Sequence, residues 1–94
     1  MNVKMEDALF NWLQIQVVAT ARPNDRAAQD TAAFFAEMLR EDHGLESFEI
    51  AAKDDTMYHV RYVSGGATKR QMFDREAVEQ LLRDIEANPK YNEQ

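Results

Sequence analysis

The sequence predicts an α+β fold: a two-layer domain in which a three-stranded antiparallel meander packs on helices, in the order α-α-β-β-β-α. Three observations predict it. Apolar residues recur at helical spacing up to residue 43 and again from residue 75. Between residues 46 and 63 they alternate with polar ones, the period of a strand. Gly65-Gly66 then supplies a tight hairpin turn into a third, weaker strand. At 94 residues the chain has the size of one domain, 1–94, with one core.

Helix 1 is expected over about 3–21, with Met5, Leu9, Trp12, Leu13 and Val17 at helical spacing and Glu6 and Asp7 favouring the N-terminal dipole. Pro23 stops it, because the residue before a proline is pushed out of the helical region. Asn24 or Asp25 caps helix 2, about 25–43, whose inner face reads Ala28, Thr31, Phe35, Met38 and Leu39. His43-Gly44-Leu45 ends it: His43 is a cation in the last turn and Gly44 is able to take positive φ.

Strands follow over about 46–53, 57–63 and 67–73. The odd-length loop Asp54-Asp55-Thr56 places Phe48, Ile50 and Ala52 on one face with Tyr58, Val60 and Tyr62. A two-residue Gly65-Gly66 turn sets Tyr58 opposite Phe73, Val60 opposite Gln71 and Tyr62 opposite Lys69. Phe48, Ile50, Val60, Tyr62 and Phe73 are then the face expected under helices 2 and 3, leaving Ser47, Glu49, His59, Arg61, Arg70 and Met72 outside. Helix 3, about 75–87, is capped by Asp74, stapled by Phe73 onto Val78, and striped by Val78, Leu81, Leu82 and Ile85. Asn88-Pro89 closes it, and 90–94 are expected to fray.

Composition narrows the function. The net charge of −6 argues against a general binder of nucleic acid or anionic membrane. The absence of cysteine removes thiolate catalysis, disulfides and cysteine-based zinc sites. The run from Ala8 to Ala19, followed by Ala19-Thr20-Ala21, imitates a secretory leader. However, Asn11, Gln14 and Gln16 interrupt it, and Glu6 and Asp7 cancel the charge of Lys4. No run is long enough to span a bilayer, so a cytoplasmic location with no membrane partner is expected.

Most residue clusters have a plain structural explanation. The glycines before Thr68-Lys69 are followed by a strand, whereas a phosphate-cradling loop needs a helix. His43 and His59 lack a second ligand at metal spacing, and His59 near Ser47 or Ser64 has no third orienting group. The acidic residues Glu41, Asp42, Glu46, Glu49, Asp54 and Asp55 lack the alternating order of a calcium loop. No cofactor is implied.

Two features remain. Glu49, Arg61 and Arg70 are expected side by side across the outer face, where the two arginines, with Lys69 near, could grip a phosphate or a partner's carboxylate. The helix, three-strand, helix order from Asp25 to Glu86 resembles double-stranded-RNA-binding domains in topology, which implies phosphate contacts. Where such domains carry a basic cluster at the start of the final helix, this chain reads Asp74-Arg75-Glu76. Helix 1 is the second feature, because its apolar arc spans roughly 220°, against about 100° for a helix covering one core. Trp12, Ile15, Ala8 and Ala19 are therefore expected to contact another chain, such as a second copy in a two-fold dimer. The alternative is that the domain encloses helix 1 completely. The sequence thus points to a non-catalytic, cytoplasmic interaction or regulatory domain that binds a protein partner or itself. The alternative function is RNA binding through Arg61, Lys69 and Arg70.

Overall fold

A computed structural model describes residues 4–88. In chain order the elements are α1 (Met5–Ala21), α2 (Arg26–Glu41), β1 (Leu45–Lys53), β2 (Met57–Ser64), β3 (Ala67–Asp74) and α3 (Arg75–Ala87). The strands form an antiparallel sheet in the order β1-β2-β3, so the α-α-β-β-β-α fold is the one expected. A helix start at Val3 and the fraying of 90–94 lie outside the described residues.

Local chemistry accounts for the boundaries. Asp25 caps α2 by accepting from the Ala28 N–H at 3.1 Å, and Asp74 caps α3 by accepting from the Ala77 N–H at 2.9 Å. That bond, and after it the Arg22 guanidinium, hold the Asp25 carboxyl below its ordinary pKa. The α1–α2 connection is locked further, since the Gln29 amide donates to Ala19 O at 2.9 Å, satisfying a carbonyl that the end of α1 leaves open. Gly44, at φ 66°, turns the chain out of α2 into β1, and His43 lies beyond the C-cap Asp42, so the last turn carries Arg40 instead. On the inner face of α2, Ala32 replaces the expected Thr31, whose hydroxyl bonds back to Ala27 O on the exposed side.

The β2–β3 register runs unbroken from Met57↔Asp74 to Ser64↔Ala67, with Gly65 and Gly66 at φ 58° and 79° in the turn. β1 is less regular. Its central residues pair as expected, Phe48↔Tyr62 and Ile50↔Val60, but the register shifts at Glu46 and at Ala51. Each bulge swaps faces: the first brings Leu45 into the core, and the second sends Ala52 outward opposite His59 and Lys53 inward opposite Tyr58. The expectation that Ala52 shares the inner face is corrected accordingly.

The larger correction concerns α1. Instead of α2 and α3 alone covering the sheet, α1 takes the middle position and is packed by both of them. Its N-terminal half contributes Ala8, Leu9, Trp12 and Leu13 to a cluster with Leu39, Leu45, Tyr58, Val60, Tyr62 and Val78. Trp12 meets Phe48 edge-on at 5.0 Å and Phe10 meets Phe73 at 5.9 Å. Its C-terminal half forms a second cluster, in which Ile15, Val18 and Ala19 pack with Ala28, Ala32 and the half-buried Leu81, Leu82 and Ile85. The small alanines let the helices approach closely there, and the second cluster extends the described residues to 44 × 29 × 25 Å.

Candidate functional site

The helices touch the sheet through Leu45, Phe48, Tyr58, Val60, Tyr62 and Phe73, all on one face. Among the described residues the other face is uncovered. Strand alternation places Glu49, Arg61 and Arg70 across it as direct cross-strand neighbours, the row expected from the sequence. Arg61 donates from Nε to Glu49 Oε1 at 2.9 Å, and its Nη2 bonds to the same oxygen. With 46% and 57% of the two side chains exposed, this pair contributes at most about 1 kcal/mol to stability. Arg70, exposed directly opposite Arg61, has no ion-pair partner among the described residues. Lys69 is exposed too, but it pairs with Tyr62 and so lies on the other face. The three basic residues are thereby divided: Arg61 and Arg70 share the open face and Lys69 lies on the other.

Sequence reasoning missed a pair at the end of the same face. His59 Nε2 lies 2.8 Å from Asp54 Oδ2, while Asp54 Oδ1 accepts from the N–H groups of Thr56 and Met57 at 2.9 and 2.8 Å. The His59 bond first, and the two backbone bonds after it, drive the Asp54 carboxyl far below its ordinary pKa. This pair orders the β1–β2 loop. Ser47 and Ser64 belong to the opposite end of the hairpin, so neither serine lies beside His59. The signal was present in the five-residue spacing, but only the hairpin geometry folds Asp54 back onto the strand.

On the helix-covered side, a groove of about 360 Å³ is lined by Val17, Ile50, Lys53, Tyr58, Glu79 and Leu82 among others. Here Ile50, expected in the core, is 37% exposed, because α1 has left the sheet for the second cluster. The Tyr58 hydroxyl donates to Glu79 Oε2 at 2.6 Å, and Arg75 Nε donates to Glu79 Oε1 at 3.2 Å. Burial, followed by the bond to Glu79, pushes the Tyr58 phenol up to about 12. The Tyr58 hydroxyl, opposed by partial burial, and then Arg75 hold the Glu79 carboxyl below its ordinary value. The i,i+4 pair of Arg75 and Glu79 is readable from the sequence; its tyrosine is not.

The residues of α1 expected at a partner interface are inside the fold. Ala8 is 0% exposed, Trp12 6%, Ile15 9% and Ala19 3%. Within the single chain the wide apolar arc is covered from three sides, by the sheet, α2 and α3. Among the described residues, no group of three or more His, Asp or Glu side chains is arranged to hold a metal ion, and no helix is long and apolar enough to cross a membrane. No family model, curated protein or solved structure matches the chain.

Proposed function

We propose that the chain is a non-catalytic, cytoplasmic interaction domain that binds a partner protein through the open side of its sheet. The observation that carries this reading is the juxtaposition of Arg61 and Arg70 on an uncovered face where Glu49 serves Arg61 alone. A second guanidinium held opposite the first is repelled until a carboxylate arrives, so an acidic group of the partner completes the row. Net charge weighs against a nucleic acid in that role, since the chain carries −6, Glu49 pairs with Arg61 and Asp54 bonds to His59 at the end of the same face. Lys69, on the other face, cannot join them in a single phosphate-gripping surface.

Affinity capture from a native cell extract, with wild type and the Arg61→Ala, Arg70→Ala double variant as baits, tests the proposal. A protein retained by the first and lost by the second supports it. A parallel gel-shift titration with duplex and single-stranded RNA addresses the alternative. Salt-sensitive binding of RNA that the same variant weakens would replace protein binding with RNA binding.

A further inference from the structure

We propose that β3 is a strand-accepting edge, which takes an extended acidic segment of the partner as a fourth strand alongside residues 68–72. This rests on the reading that the open side of the sheet binds protein, and it names the partner's chemistry and the way it docks.

The sheet has two edges, and they differ. β1 is interrupted by extra residues at Glu46 and Ala51, and Glu46 turns its carboxylate back to accept from the Gly66 N–H at 3.1 Å. Each bulge changes the phase of the outward N–H and C=O groups, a common device that keeps an edge from templating another strand. β3 has no such interruption: eight successive residues pair with β2, with no proline, glycine or bulge. Its phase is set by the bond from the Arg75 N–H to Thr56 O, 2.8 Å, which continues the same register. Odd-numbered residues of β3 therefore bond to β2, and Thr68, Arg70 and Met72 direct their backbone groups away from it. All three are exposed, Met72 at 55%.

Charge selects the occupant. Lys69 and Arg70 are adjacent, project to opposite faces, and make no ion pair among the described residues. A second copy of β3 laid antiparallel about a two-fold axis would bring these cations opposite or diagonal to their own counterparts, so the edge resists self-pairing. A strand with two successive acidic residues gives each cation a carboxylate on its own face. Met72 and the half-buried Phe73 favour apolar neighbours. An antiparallel segment matching this edge reads, from its N-terminus, two apolar residues, one of any kind, then two acidic ones.

The test uses the full chain, labelled with nitrogen-15, and a capped peptide Thr-Val-Ile-Thr-Glu-Glu-Thr. Two controls accompany it: a version with lysines for glutamates, and one N-methylated at the backbone nitrogens that would face β3. The amides of Thr68, Arg70 and Met72 are expected to move and to gain exchange protection with the acidic peptide, while those of β1 stay unchanged. The lysine peptide should bind about tenfold more weakly at low salt, a difference that added salt reduces. N-methylation should abolish binding without touching the protein. Met72→Pro should do the same while sparing the β2–β3 ladder, because that N–H points outward. Binding that survives N-methylation, or that protects β1 instead, overturns strand addition. If Arg61 and Arg70 capture a partner but no acidic peptide protects β3, the edge proposal fails and the face reading stands. Loss of both removes both.

Discussion

Strand β2 carries two chemistries one residue apart. Tyr58, Val60 and Tyr62 are 4%, 0% and 6% exposed beneath the helices, whereas Arg61, between the last two, keeps 46% of its side chain in solvent. The same backbone ladder holds both sets, yet on one side a residue is held by close packing and on the other by a single exposed carboxylate. The outer side can thus be altered with the fold intact, which makes it the surface on which binding and stability separate. α1 belongs wholly to the inner side, and it gives the strongest tests of the division.

Ile15→Glu is expected to have the largest effect. It places a carboxylate in the second cluster, among Val18, Ala28 and Leu82, and should cost at least about 3 kcal/mol. Urea unfolding should find little native chain, and sedimentation should show no orderly conversion of dimer to folded monomer. A folded monomeric variant of a dimeric wild type would break the division by placing Ile15 at an interface. Val60→Ala, a purely apolar truncation, should lose about 2 kcal/mol by the same measurement.

Tyr58→Phe lies at the boundary between packing and polar chemistry. It keeps the ring but leaves Glu79 with Arg75 alone, and a cost of about 1 kcal/mol is expected. Ultraviolet titration should show one tyrosine ionising near 12 in the wild type and not in this variant. Asp54→Asn should lower stability at neutral pH, and the difference from wild type should disappear in acid. Because the folded carboxyl lies below its unfolded pKa, its contribution is complete above that value and is lost as pH falls through the folded one. The wild type should lose stability below about pH 4, and the variant should show a shallower decline. Arg61→Ala should be the mildest, changing stability by less than about 1 kcal/mol while weakening partner capture. A large loss of stability there would show that the outer row is structural.

Much of this architecture is legible in the sequence. Hydrophobic period distinguishes the helices from the strands, Asp25 and Asp74 mark two helix starts, the coincidence of apolar faces sets the central β1–β2 pairs, and the two-residue Gly65-Gly66 turn sets the β2–β3 register. The odd-length β1–β2 loop is not found: Lys53 pairs with Tyr58 across an even-length loop, and the extra residue at Ala51 gives the central pairs their parity. The outer row Glu49, Arg61 and Arg70 follows from the shared apolar face and the Gly65-Gly66 turn, since side chains alternate with a period of two. The bulges at Glu46 and Ala51 left no mark of this kind. They depend on how Leu45 reaches the core and Lys53 reaches the rim of the groove, which alternation cannot foretell.

For this chain the sequence by itself determined what lies within one element of its neighbours: the approximate extents of helices and strands, the caps, and the Gly65-Gly66 turn with the register it sets. These rest on local backbone preference and short-range hydrogen bonds. Tertiary structure alone decided which element occupies the centre. The arc of roughly 220° on α1 showed that several surfaces must cover it, and the same arc suits a dimer or an enclosed helix, because apolar burial carries no direction. Only the assembled packing shows Ala8, Trp12, Ile15 and Ala19 covered within one chain by α2, α3 and the sheet. It also brought Asp54 to His59 and Tyr58 to Glu79, pairs whose formation depends on where the hairpin and α3 come to rest.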